Sequence, residues 1–138
     1  MLINIFRKII CPFRGRGLGT SKIAKKGYAF VAFLFNPIEV QSHKMFINPS
    51  DDVLGLLLDP CYEREVAEVV QEKVKRGDVV VDLGAHIGFY TLMMAHLVGE
   101  KGKVYALEPD PVNFALLKKN MELNGYKNVV LFQKAVSS

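Results

Sequence analysis

The sequence has few of the residues that cross-link small domains or bind structural metals. Its 138 residues include two cysteines, three histidines and no tryptophan. Cys11 and Cys61 lie far apart without paired spacing, which excludes a disulfide framework and indicates reduced thiols in a cytoplasmic protein. Since no Cys/His cluster is present, the sequence offers no ligand set for zinc, and no metal site is predicted.

Long apolar runs and N-terminal acidic residues are also absent. A membrane-spanning helix needs about 20 consecutive apolar residues, and the apolar first ten residues are interrupted by Arg7 and Lys8. They contain no small-residue cleavage site, so a signal peptide is not predicted. Residues 1–28 carry seven cations and no acid, which leaves 11 of the 18 cations against all 14 acids in the rest of the chain. The basic character therefore belongs to the terminus and not to the domain, and we expect no nucleic-acid partner.

The chain divides into three segments. Residues 1–27 form a basic segment with a glycine-containing linker, which is either a solvated tail or a peripheral contact with an anionic membrane surface. Residues 28–58 form an extension in which the unbroken apolar run Tyr28–Phe35 and the segment Lys44–Ile47 are predicted as short strands. Residues 59–138 form the main domain.

The main domain alternates helix and strand. Asp59 is a typical N-cap and Pro60 suits a first helical position, so a helix is predicted from there to Gly77, with an apolar stripe of valines. The β-branched run Val79–Val81 predicts a strand that is buried on both faces. The elements predicted after it are a largely apolar helix to Val98, a strand over Val104–Leu107, a helix from Asp110-Pro111 to Asn124-Gly125, and a strand from Val129 to Phe132. This βαβαβ order predicts an α/β fold with a Rossmann-like parallel sheet.

The turn after the first of these strands has the composition of a ligand-binding loop. Residues 82–88 read Asp-Leu-Gly-Ala-His-Ile-Gly. Gly84 permits a tight backbone turn, and Gly88 lets the next helix begin close to the strand or to a ligand. Glu108 ends the second strand twenty residues after Gly88. At that spacing a carboxylate reaches the two ribose hydroxyls in βαβ nucleotide sites.

Two nucleotide-type cofactors can be compared against these residues. A dinucleotide site uses Gly-x-Gly-x-x-Gly, whose backbone amides hold a pyrophosphate. Here the middle glycine is missing, and Asp82 would repel a pyrophosphate. Together with Glu108 it would attract a cationic ligand. The pair therefore favours S-adenosylmethionine, which carries an ammonium and a sulfonium group and no phosphate, over a nicotinamide dinucleotide.

Residues 77–138 resemble the cofactor-binding half of class I S-adenosylmethionine-dependent methyltransferases and, more narrowly, the FkbM family. Three blocks carry the resemblance, Val81–Thr91, Gly102–Pro109 and Asn120–Val136, and it extends over about residues 45–138. His86 stands where that family often has asparagine. The resemblance implies an enzyme that methylates a hydroxyl oxygen of a sugar or another small metabolite.

The resemblance also implies roles for individual residues, although it assigns no catalytic residue. The loop residues would line the methionine end of the cofactor, the end of the second strand would bind the ribose, and the segment after the third strand would edge the adenine. Two residues upstream of the first strand would cover the cofactor from the N-terminal side. The cofactor-binding set is Asp82, Gly84, Ala85, His86, Gly88, Glu108, Pro109, Asp110, Ala135, Tyr62 and Glu63.

A class I methyltransferase sheet has about seven strands, and this sequence reaches the third. We therefore expect a fragment of a longer protein, inactive alone, whose acceptor pocket lies elsewhere. Its first strand would have an open edge that favours self-association. Two alternatives remain open, a nicotinamide-dependent oxidoreductase half-domain and a non-catalytic module that retains the cofactor fold.

Overall fold

The computed structural model describes residues 36–48 and 63–136. The basic terminus, the predicted strand Tyr28–Phe35, the helix start at Asp59-Pro60 and the candidate residue Tyr62 lie outside the described residues. The described part contains a β-hairpin followed by alternating helices and strands. In chain order these are β1 Ile38–Val40, β2 His43–Met45, α1 Arg64–Lys73, β3 Val79–Leu83, α2 Phe89–Val98, β4 Lys103–Leu107, α3 Pro111–Asn124 and β5 Val129–Phe132.

The main sheet is parallel and has the strand order β3-β4-β5. Val79 pairs with Lys103 at one end of the first ladder and Leu83 with Leu107 at the other. A helix connects each strand to the next, which confirms the predicted α/β fold with a Rossmann-like parallel sheet.

The ends of α3 follow the residues that the sequence marks for them. The Asp110 side chain accepts hydrogen bonds from the backbone N–H groups of Val112 and Asn113, both at 2.9 Å, and Pro111 occupies the first turn. Gly125 caps the other end in the left-handed conformation. Interactions and backbone preferences of neighbouring residues therefore set both ends of α3.

One face of the sheet is buried against the helices, and the other is exposed. Val104 and Ala106 of β4 are fully buried and belong to the clusters that also contain side chains of α2 and α3. On the opposite face Val79, Val81 and Leu83 are 67%, 57% and 62% exposed. The prediction that Val79–Val81 is buried on both faces is wrong, because Val79 and Val81 are exposed and the side chains of α2 and α3 cluster with Val104 and Ala106 on the other face.

The β1–β2 hairpin packs on α3 through one buried amide. Asn120 is fully buried, accepts a hydrogen bond from Phe46 N–H at 2.6 Å, and donates to the Phe46 carbonyl at 3.0 Å. It also donates to the Ile87 carbonyl at 2.8 Å, in the loop before α2. Asn120 therefore joins the hairpin to the loop that carries the candidate site.

The described part of α1 contacts α2. Ala67 is buried and Val70 and Val74 are partly buried, whereas Val66 and Val69 of the predicted apolar stripe are about half exposed. None of the described helices is long and apolar enough to cross a membrane.

Candidate cofactor site

The candidate site lies at the carboxyl ends of β3 and β4, where two loops meet. Gly84 and Ala85 both donate backbone hydrogen bonds to the Leu107 carbonyl at 2.9 Å, so the loop after β3 folds across the end of β4. Ligands of open parallel sheets bind in the crevice outside this edge of the strands.

Glu108 links the two loops through its carboxylate. Oε2 accepts a hydrogen bond from the His86 backbone N–H at 2.8 Å, and Oε1 accepts one from the Asp110 N–H at 2.9 Å. The side chain is 5% exposed. Each carboxylate oxygen can accept a further hydrogen bond, so both oxygens, held in place by the backbone, retain capacity for two ligand hydroxyls.

Asp82 is the second carboxylate of the site and points to the helix side of the sheet. Thr91 in α2 donates its hydroxyl hydrogen to Asp82 Oδ2 at 2.5 Å. Burial raises the pKa of Asp82; the Thr91 hydrogen bond opposes this shift, and the negative charge of Glu108 adds to it. A cation bound near both carboxylates would relieve the cost of ionising Asp82.

The loop between β3 and α2 is held in conformations that most residues avoid. Gly84 and Gly88 have φ values of 77° and 99°. A Cβ atom at Gly88 would lie 2.8 Å from Leu117 Cδ1 and 2.9 Å from Met121 Cε, so α3 approaches closely there, whereas Gly84 has open space. His86 is also left-handed, at φ 51°, and its side chain is exposed. Left-handed residues other than glycine are uncommon and concentrate at functional sites.

The start of α1 is tied to the start of α2 by one polar contact. The Tyr90 hydroxyl donates to Glu63 Oε2 at 2.6 Å. Glu63 precedes α1 and has φ 45°, so it is, after His86, the second non-glycine residue of this site in the left-handed conformation. The contact brings Glu63 to the helix that follows the glycine loop.

The structure brings most of the predicted site residues together. Hydrogen bonds or chain continuity join the residues of the two loops, which are Asp82, Gly84, Ala85, His86, Gly88, Glu108, Pro109 and Asp110. Asp110 serves as the N-cap of α3 and also donates its N–H to Glu108. Ala135 lies three residues beyond β5 and is exposed. Tyr62 lies outside the described residues.

Two residues of this site received no role from the sequence. Thr91 supports Asp82, and Tyr90 holds Glu63. A threonine within the largely apolar segment after the glycine loop was the signal in the sequence that a polar partner lies nearby. The partner itself could not be identified, because it lies on a strand nine residues earlier.

The donor set agrees with S-adenosylmethionine. Two carboxylates flank a loop whose backbone bends in the left-handed region, and residues 82–88 and 108–110 include no lysine or arginine to pair with a pyrophosphate. Vicinal hydroxyls and an ammonium group are the complementary ligand groups. Among the described residues, no three histidine, cysteine or acidic side chains form a group that could hold a metal ion.

Comparison with known proteins identifies the chemistry of this fold. Residues 58–136 match the family model of the TRM5/TYW2 methyltransferase domain. The chain is 37% identical over 59 residues to a protein-L-isoaspartate O-methyltransferase of Methanococcoides burtonii, a match that covers 43% of this chain and 29% of that protein. It is 42% identical over 65 residues to the 31-O-demethyl-FK506 methyltransferase FkbM of Streptomyces tacrolimicus, covering 47% of this chain and 23% of that protein. The matched part thus spans less than a third of either relative.

A solved structure with the same fold extends the comparison to RNA enzymes. A Clostridium thermocellum protein assigned as an rRNA-methylase superimposes with a TM-score of 0.50 and 30% identity, covering 53% of this chain and 40% of that one. The expectation that nucleic acid is no partner is wrong, because the family model and this structure point to methyltransferases of RNA. The expectation rested on the net charges of the terminus and of the rest of the chain, and a net charge does not show where charges cluster on the surface.

Proposed function

From the premise that the chain belongs to the TRM5/TYW2 methyltransferase domain family, we propose that the protein containing it transfers a methyl group to an acceptor and that residues 59–138 hold the cofactor. The chain is a class I S-adenosylmethionine-dependent methyltransferase, and its cofactor is S-adenosylmethionine. The narrower placement in the FkbM family is supported by one partial match.

The observation that carries the proposal is the pair of carboxylates at adjacent strand ends. Glu108 presents two oxygens fixed by backbone amides, and the partly buried Asp82 lies near enough to sense its charge, with one oxygen held by Thr91. Two anionic groups in one crevice suit a ligand that is cationic and rich in hydroxyl groups.

In this proposal each residue has one task. Glu108 accepts hydrogen bonds from the ribose hydroxyls, Asp82 faces the cationic methionine end, and Gly84 and Gly88 keep the loop backbone close to the ligand. Ala85, His86, Pro109 and Asp110 complete the walls of the crevice. Ala135 edges the adenine, while Tyr62 and Glu63 cover the ligand. The roles of the loop residues are supported by their common position at the carboxyl edge of the sheet.

The chain's own contribution to the reaction is positioning. When bound, the cofactor supplies a methyl group that its sulfonium makes electrophilic. The protein groups fix the orientation of that ligand so that an acceptor can be aligned with it, and such alignment can contribute several kcal/mol to lowering a barrier. No general base is assigned among the described residues.

Two classes of acceptor are supported by different relatives. A hydroxyl of a sugar or small metabolite is supported by the similarity to the Streptomyces tacrolimicus enzyme. An RNA acceptor is supported by the family model and by the rRNA-methylase structure. Transfer of a labelled methyl group by the full-length protein, measured on RNA and on a small-metabolite extract, discriminates between them.

Calorimetric titration of the 138-residue chain with S-adenosylhomocysteine tests the cofactor site. We expect binding by the unaltered chain and a loss of about tenfold or more for Glu108→Gln, because a carboxylate lost from a charge-assisted hydrogen bond costs about 1.5–3 kcal/mol. Glu122→Gln, an exposed change on α3, is the matched control. Binding of NAD with no response to S-adenosylhomocysteine would favour the oxidoreductase alternative and overturn the proposal.

A further inference from the structure

A cleft of about 1040 Å³ lies at the edge of the sheet opposite the candidate cofactor site. It is formed where the chain turns before β3, before β4 and before β5, and where α2 and α3 end. Its wall contains the turn residues Gly77, Gly99, Gly125 and Asn128. Since β3 and β4 are five residues long, the cleft and the cofactor edge are separated by roughly 16 Å of strand.

The cleft collects positive charge that the rest of the described surface lacks. The described residues contain eleven lysines and arginines and eleven acids. Four of these cations line the cleft, against the single acid Glu100. They are Arg76, Lys101, Lys103 and Lys127, all exposed, and none of the four forms an ion pair with a described residue.

The helix ends at the cleft do not cancel this charge. Helix C-termini carry partial negative charge on their last carbonyls, but here those carbonyls accept protein hydrogen bonds. Asn128 Nδ2 donates to the Ala95 and Gly99 carbonyls at 2.8 and 3.0 Å, and Gly77 N–H donates to the Val98 carbonyl at 2.8 Å. The side-chain cations therefore dominate what a ligand meets.

Planar side chains accompany the cations. His96 and Tyr126 line the same cleft, and the His96 ring is exposed at the end of α2. A basic groove with planar side chains beside it is the arrangement that binds single-stranded nucleic acid, because cations neutralise phosphates and planar groups stack on bases.

We propose that this cleft binds the phosphodiester backbone of RNA, with His96 stacking on a base. The cleft is a second contact surface, away from the cofactor. This inference rests on the proposed function only for the identity of the bound polyanion as RNA. A strand of RNA that occupies the cleft must extend at least roughly 16 Å to reach the cofactor edge. The cleft would thus hold RNA at a distance from the methylated position.

The test compares two lysine pairs in the 138-residue chain. The double variant Lys101→Gln, Lys127→Gln removes two cleft cations, and the control Lys73→Gln, Lys118→Gln removes two exposed cations outside the cleft. Both keep the basic terminus. Binding of a labelled single-stranded RNA is measured by fluorescence anisotropy over a range of salt concentrations.

We expect the cleft variant to lose roughly tenfold or more in RNA affinity at about 0.1 M salt and to reduce the slope of log K against log salt by about 1.4, since each lost contact with a single strand changes the slope by about 0.7. We expect the control variant to change both the RNA affinity and the salt slope by less than the cleft variant does. His96→Ala should weaken binding with an unchanged slope, because it removes stacking and no phosphate contact.

Equal losses in the two double variants would overturn the proposal, because the cleft would then act only as general positive charge. Binding of ATP at the cleft without RNA binding would also overturn it. Binding of S-adenosylhomocysteine, measured in parallel, is expected to be unchanged in the cleft variant. If the cofactor fails to bind while the cleft variant still loses RNA affinity, the proposed function fails and the RNA surface stands.

Discussion

Asp82 shows how one carboxylate can reduce stability while favouring a ligand. Burial raises its pKa, and the nearby charge of Glu108 acts in the same direction. Its protonated form is therefore favoured in the folded state. The contribution of Asp82 to the free energy of unfolding is fully present below the pKa that it has in the unfolded chain. This contribution is lost as the pH rises through its raised pKa in the folded chain. At neutral pH an ionised Asp82 opposes folding and attracts a cationic ligand.

We predict that Asp82→Asn separates these two effects. The amide oxygen can still accept the Thr91 hydrogen bond, so stability at pH 7 should be equal or higher, and the gain should vanish below about pH 4. S-adenosylhomocysteine binding should fall about tenfold or more, because the ammonium group loses its anionic partner. Urea unfolding at both pH values and calorimetry measure the two quantities. Unchanged ligand affinity would show that Asp82 has only a structural role.

His43 provides a second titrating group, in the hairpin. Its Nε2 lies 2.7 Å from the Tyr126 hydroxyl, and its ring meets the edge of the His96 ring at 5.9 Å between centroids. Burial lowers the pKa of His43, and a positive charge on His96 lowers it further, while a hydrogen bond with the Gln41 backbone opposes the shift. The neutral imidazole is therefore the form that the fold prefers.

We predict an acid-dependent loss of stability at His43. For a histidine with a lowered pKa, the contribution is present above the unfolded value of about 6.5 and is lost as pH falls through the folded value. His43→Gln should reduce the difference in unfolding free energy between pH 7.5 and pH 5 (roughly the range in which histidine titrates). A His43→Gln variant that keeps the full difference would contradict the assignment.

At the scale of elements, the hairpin is held by two asparagines that differ in burial. Asn120 is fully buried with three hydrogen bonds to Phe46 and Ile87, whereas Asn124 bonds the backbone of exposed Lys44. A buried polar group that loses its partner cannot be solvated, so its loss costs more than that of an exposed group. Asn120 is therefore expected to contribute more than Asn124 to the free energy that holds the hairpin on α3.

We predict that Asn120→Ala costs about 2–4 kcal/mol of unfolding free energy and that Asn124→Ala costs about 1 kcal/mol or less. The first change leaves the Phe46 and Ile87 backbone groups without partners in the interior, while water can replace the Asn124 side chain. Urea unfolding of both variants gives the comparison. Similar costs would mean that the hairpin separates from α3 without unfolding the main domain.

The exposed sheet face is a property of the whole molecule. Val79, Val81 and Leu83 form an apolar row on β3, and within the described residues β3 pairs only with β4. An exposed apolar strand with a free edge can pair with another chain. This geometry supports the expected self-association of the 138-residue chain through its open edge.

We predict that Val81→Lys reduces self-association with little change in stability, because the side chain is 57% exposed and the new charge opposes edge pairing. Val66→Lys on α1, at a valine that is 50% exposed, is the matched control and should leave self-association unchanged. Sedimentation velocity over a range of concentrations measures the effect. A monomeric unaltered chain at all concentrations would contradict the prediction.

The sequence alone was sufficient for the parts that depend on neighbouring residues. Asp110-Pro111 and Gly125 mark the ends of α3 through local hydrogen bonds and backbone preferences, and the alternation of β-branched and helical segments determines the parallel fold. The carboxyl ends of parallel strands share one edge, so the sequence predicts that Asp82 and Glu108 lie together.

Only the tertiary structure determines which side chains form hydrogen bonds with one another and where positive charge is concentrated on the surface. Three features join residues that are distant in the chain. They are the hydrogen bond from Thr91 to Asp82, the hydrogen bonds between Asn120 and the hairpin, and the cluster of cations at the opposite edge of the sheet. The exposure of one face of β3 likewise depends on the side to which the helices cross. Burial and pairing are properties of contacts between elements, and a local pattern of residue types does not contain them.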